Sequence, residues 1–307
     1  MRLVALAAVI LAWSAAAQAQ TDPVHQALAP YALYQTDITA LLDSDIGDAA
    51  ALDAALERMA LHDPSRIAAG WLAYGGLTAA QSPEWVAGVR SRVRAAGRPA
   101  VLRQLRRDLA YARRRPPGAA QATQLVLRAL AADEARMRAL AVRFEGLGAA
   151  ADTSAWSRRS EARAERLRSA DARTLPPAVL ARLQVGPLTA TPATDASAFG
   201  GARFWDALSG RRSPTPPALT WRVNAARAAS LDRIFTLGAL MVIGAGDDDA
   251  ARIRALDDEP TRHCLELQQL FLRQCAGVTH DPNEDAYCLA RHGLAEPSAC
   301  LSLALAP

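Results

Sequence analysis

The side chains best suited to chemistry gather towards one end of this chain. Cys264, Cys275, Cys288 and Cys300 are its four cysteines, and His263, His280 and His292, three of its five histidines, lie among them. Such a set can build either a metal centre or a pair of disulfides. Sites that wrap zinc use short C-x2-C or H-x3-H pairs, and none occurs in this segment. No metal is therefore expected, and the histidines read as surface residues. For the cysteines, helix geometry decides which pairs can form. Residues 260–275 read as one helix, which separates Cys264 from Cys275 by about 16 Å along the axis, whereas a disulfide needs Cα atoms within roughly 7 Å. Gly277 and Asp281-Pro282 supply a turn, after which Glu284–His292 can return as a second helix, interrupted at Gly293 and Pro297. The pairs 275/288 and 264/300 are both symmetric about residue 282 or its immediate neighbour. An antiparallel hairpin sets symmetric positions opposite each other. The spacing thus predicts nested bridges, Cys264 with Cys300 and Cys275 with Cys288. Structural disulfides of this kind belong to an oxidising compartment.

A second candidate is a pattern of charge. All 35 basic residues are arginine. Without lysine there can be no Walker A loop, no pyridoxal Schiff base and no S-x-x-K serine enzyme. Between Arg90 and Arg115 stand ten arginines and one acid, Asp108. On a helix from Ala100 to Arg115, Val101, Leu102, Leu105, Leu109 and Ala112 share one arc, while Arg103, Arg106, Arg107, Arg113 and Arg114 share the opposite one. From Leu231 to Cys300 the balance reverses, with 12 acids against six arginines. One reading lets the acidic segment neutralise the strip within the molecule. The other lets Arg103, Arg106, Arg107 and Arg114 dock an anionic envelope component or an acidic protein, since guanidinium groups grip phosphate and carboxylate in pairs. Nucleic acid is not expected as a partner: the net charge is only +4.

Familiar catalytic patterns are missing. There is no G-x-S-x-G elbow and no H-E-x-x-H pair. Gly244-Ala245-Gly246 before three aspartates reads as a helix end with a capped successor, and Asp43–Asp48 as a helix end, turn and N-cap rather than a calcium loop. Glu84 beside Trp85 is the first place to look for one member of a carboxylate pair that cleaves glycosides. No cofactor is implied. In geometry alone, the cysteine hairpin resembles the twin Cx9C helical hairpins, with Cx10C and Cx11C spacings here.

These residues must be positioned by helices. Almost every segment repeats at helical period and no sustained alternating run appears, so the expected class is all-α, an irregular bundle of about ten helices. Starts are visible at Asp48, at Pro64-Ser65, at Pro83 and at Pro99. Residues 118–147 read as one long helix, and Asp152 or Thr153 can cap an arginine-rich one reaching about Ala172. Residues 186–221, rich in Pro and Gly but also holding Phe199, Phe204, Trp205 and Trp221, read as a strap pinned to the helices by its rings. Met1-Arg2, the apolar Leu3–Trp13 and Ala17-Gln18-Ala19 form a signal peptide over 1–19, cleaved near Ala19. The domain reading is then a helical region over 20–185, the strap, and a second helical region over 222–307. The apolar run Ile234–Ala245 is too short to cross a bilayer. Together these features describe a periplasmic or secreted protein of structural or interaction type. The competing expectation is a cell-envelope hydrolase with a carboxylate pair in a groove.

Overall fold

A computed structural model describes residues 22–150, 205, 220–279 and 281–305 of the chain. The expected signal peptide, the helix expected after Asp152 and most of the strap lie outside these residues. The described part is all-α, as expected. Its helices are α1 (Pro23–Asp43), α2 (Ala49–Ala60), α3 (Pro64–Ala79), α4 (Pro83–Ala96), α5 (Arg98–Arg107), α6 (Tyr111–Arg114), α7 (Ala119–Ala150), α8 (Ala228–Val242), α9 (Asp249–Leu256), α10 (Glu259–Val278), α11 (Pro282–Cys288) and α12 (Glu296–Cys300). A 3-10 turn, Ala225–Arg227, leads into α8, and a π turn, Leu289–Ala295, joins α11 to α12. Two short strands, β1 (Arg222–Val223) and β2 (Ala304–Leu305), pair antiparallel, so residues 222–305 begin and end at one place.

Local chemistry starts these helices. Asp22, Asp48, Asp63, Asp248 and Asp281 each accept a hydrogen bond from a backbone N–H in the following first turn. Such a cap is worth about 1 kcal/mol. Proline occupies one of the first two positions of α1, α3, α4, α5, α10, α11 and α12, where its missing N–H had no partner in any case.

Packing centres on α3, which meets α1, α7, α8 and α10. It is buried almost throughout, with Trp71, Leu72 and Tyr74 fully enclosed. Close approach to α8 depends on glycine: a Cβ on Gly76 would lie 2.9 Å from the backbone nitrogen of Gly238, and one on Gly238 would lie 2.7 Å from the carbonyl oxygen of Gly76. The two helices therefore touch backbone to backbone there.

Both expected disulfides are present, Cys264–Cys300 and Cys275–Cys288, with Cα separations of 5.7 and 5.6 Å. Cys275 and Cys288 also pack with Leu56, Ala60, Leu272 and Ala276, tying the C-terminal helices to α2.

Two expectations need correction. The helix expected from Ala100 to Arg115 is broken at Asp108, whose Oδ1 accepts a hydrogen bond from Ala110 N at 2.9 Å and so competes with the helix ladder. Conversely, Gly293 and Pro297 do not interrupt the returning helix, which runs without a break from Pro282 to Cys300. The π turn widens the backbone just before Pro297, whose ring would clash with the carbonyl of Gly293 in a regular α-helix. Among the described residues no helix is long and apolar enough to cross a membrane.

Candidate functional site: an arginine face on α4–α6

Helix α5 buries Val101 and Leu105 and leaves Arg103, Arg106 and Arg107 exposed; Arg114 follows, exposed, on α6. The two-sided pattern read from sequence thus holds, spread over two helices instead of one. The ten arginines divide into three groups by what they reach.

Arg106 and Arg113 meet carboxylates. Arg106 Nε lies 3.1 and 3.0 Å from the two oxygens of Asp248, and its Nη2 lies 2.6 Å from Oδ2. The hydrogen bonds from Arg106 hold the Asp248 carboxyl below its usual range, and the same contact raises the Arg106 guanidinium. Arg113 Nε donates to Asp232 Oδ1 at 2.5 Å. Two more arginines turn to carbonyls: Arg92 to Arg115 O and Arg98 to Gly244 O. The remaining six, Arg90, Arg94, Arg103, Arg107, Arg114 and Arg115, are exposed. Their side chains meet no carboxylate or other hydrogen-bond acceptor among the described residues. Both readings of the strip therefore hold in part. The acidic segment takes up Arg106 and Arg113, and a majority of the positive charge stays open to solvent.

Two buried polar clusters escaped sequence reasoning. In the first, His62 Nε2 lies 2.8 Å from Asp37 Oδ2, with both side chains buried, and the ring of Tyr34 stands edge-on to the imidazole at 5.1 Å. Tyr34 and His62 share a small recess with Leu265, Gln269 and His292, with room for about 30 Å³ of water-sized occupants. That is one or two waters. The Tyr34 hydroxyl has no partner among the described residues, and burial pushes it far above its ordinary value. In the second, Asp133 accepts from Tyr31 OH at 2.8 Å and from Trp205 Nε1 at 2.9 Å. The rings of Tyr31, Tyr74 and Trp205 stack around it at 5.0–6.0 Å. Burial raises the Asp133 carboxyl to about 7, against the pull of Arg136 and of the two donors. Local sequence gave one hint, Trp205, one of the rings expected to pin the strap.

The other candidates resolve into structure. Trp85 is fully buried, donating from Nε1 to Ala112 O at 3.0 Å, while Glu84 faces solvent, so the two side chains part. Gly244 adopts φ +61° at the end of α8 and Asp248 caps α9, as expected for a helix end and its successor. His292 Nδ1 lies 3.2 Å from Gln268 Oε1, and its ring packs on Phe271. His280 is outside the described residues. Among the described residues no group of three or more His, Cys, Asp or Glu could hold a metal ion. Comparisons with protein-family models, with curated proteins and with solved structures find no match, so no relative lends this chain a function.

Proposed function

We propose that this chain is an exported protein that docks an anionic component of the cell envelope through the arginine face of α4–α6. The observation that carries the proposal is the set of six exposed arginines on these helices and their flanks with no partner among the described residues. A guanidinium already gripped by a carboxylate has little left for a phosphate; one without such a partner keeps its planar pair of donors. Export, with cleavage near Ala19, belongs to the same proposal and is supported by the two disulfides, which suit an oxidising compartment outside the cytoplasm. The competing hydrolase draws no support from Glu84, whose carboxylate stands at the surface away from Trp85.

The test is co-sedimentation of the mature chain with vesicles of anionic or of zwitterionic phospholipid, and pull-down on an acidic polysaccharide. Binding to an anionic surface should weaken steeply with salt. Joint substitution Arg103→Gln, Arg107→Gln and Arg114→Gln should lower affinity by more than about tenfold. Arg106→Gln, removing a charge that Asp248 already balances, should lower it far less. Failure to bind any anionic surface at low salt, or binding indifferent to the triple substitution, would sink the proposal.

A further inference from the structure

Helix α10 is apolar on two sides. At 100° per residue, Thr261, Leu265, Leu272 and Ala276 share one arc, and all four are buried. Leu267, Leu270, Phe271 and Val278 share an arc on the opposite side, where they are 37%, 49%, 41% and 69% exposed. Tyr287 of α11, 56% exposed, extends this stripe, because it lines a groove together with Val278 and the Cys275–Cys288 bridge. Only two other large apolar side chains, Val142 and Ile253, are comparably exposed among the described residues. Exposed apolar surface is thus concentrated on the stapled hairpin, where it marks a contact with something else.

Size and charge say what that something is. At 150–250 Å² for a large ring and less for an aliphatic side chain, the five residues expose roughly 400 Å². That is close to the apolar share of one side of a standard interface, in which each partner covers about 800 Å² and somewhat over half is apolar. The charges of α10 beside the stripe, Glu259, Arg262, Glu266 and Arg273, sum to zero, and Glu284 adds a single negative charge at the groove. A strongly charged partner finds nothing to read there. A second copy of the same helix does: run antiparallel about a two-fold axis beside Leu270, it sets Glu266 of each copy near Arg273 of the other, in exchange for the contacts of Glu266 with Arg262 and Ser65 of its own chain, and Leu270 against Phe271. Such an interface is self-complementary and closes on two copies. The stripe is also held in shape beforehand, since Cys264–Cys300 and Cys275–Cys288 clamp α10 near both its ends, so little order must be imposed on association.

We propose that the outward face of α10 is the interface of a two-fold homodimer. It is independent of the arginine face and stands or falls separately. Sedimentation velocity of the disulfide-intact mature chain, from about 1 to about 100 μM, is expected to show dimers. Leu270→Glu combined with Val278→Glu should leave a monomer of unchanged helical circular dichroism. Arg273→Glu should weaken the dimer about tenfold, and adding Glu266→Arg should restore it to within about threefold, a rescue that a folding defect would not show. A wild-type chain that stays monomeric throughout overturns the proposal, as does a dimer untouched by the glutamate pair. A monomer that sediments with zwitterionic vesicles through these residues would assign the stripe to lipid instead, and a charge swap that fails to rescue would overturn the antiparallel arrangement.

Discussion

Arg106 of α5 holds both oxygens of Asp248, the same carboxylate that caps α9 through Ala251 N at 3.1 Å. One acid thus starts a helix and balances a charge of the arginine face. Asp248→Ala loses both roles, and the cap alone is worth about 1 kcal/mol, whereas Asp248→Asn keeps a capping oxygen. Urea unfolding should rank stability as wild type, then Asn, then Ala. Both variants remove the charge that balances Arg106, so anionic vesicles should bind them at least as tightly as wild type.

The contact of Gly76 with Gly238 leaves no room for a methyl group. Gly238→Ala places a carbon against the Gly76 carbonyl, which cannot swing aside as a side chain would. A loss of about 1–3 kcal/mol is expected, read as a lower urea midpoint at unchanged slope. A neutral result would mean that α3 and α8 can slide apart freely.

Removing the bridges one at a time should give unequal effects. Cys264–Cys300 closes a span of 36 residues and Cys275–Cys288 one of 13, for which chain entropy suggests about 4 and about 3 kcal/mol. Paired Cys→Ser variants, compared by chemical unfolding, check the order. The inner pair is the more deeply packed, with Cys288 fully buried among Leu56, Ala60 and Leu272, so its replacement also removes core contacts.

Asp133 predicts a pH dependence of definite sign. Its carboxyl titrates near 7 in the fold against an ordinary value of 3.8. The unfolded chain therefore gives up this proton first as pH rises. The group's contribution is most favourable below pH 3.8, falls as pH climbs between these values, and levels off above about 7. The loss is at most a few kcal/mol. Asp133→Asn removes this slope, so its stability relative to wild type should improve from pH 4.5 to pH 7.5 in paired thermal melts. A constant difference would show that Asp133 titrates normally.

What the sequence made legible was whatever follows from helical period acting over short distances. Eleven residues of helix forbid Cys264 from reaching Cys275, and that exclusion led to the nested pairs. Helix starts at Asp48 and Pro64 were visible for the same reason. The break at Asp108 was not, because a single acid in an arginine strip looks solvated until its oxygen is seen on Ala110 N. Helix α1 was passed over: it buries residues on most of its circumference, so no one-sided stripe announces it. Asp37 with His62, and Asp133 with Tyr31, join positions 25 and 102 residues apart, and only the fold brings them together. Leu267, Leu270 and Phe271 of α10 were visible as helical, whereas Val278 fell in the turn expected from Gly277; sequence alone does not say which of two apolar arcs is covered.

The Cys275–Cys288 link makes the hairpin tip a ring in the topological sense. Hydrolysis of a peptide bond between these two cysteines would open that ring without separating the pieces, which would part only after reduction. A protease that nicks the tip therefore leaves behind one molecule, heavier by a single water, with α10 and α11 still joined through sulfur.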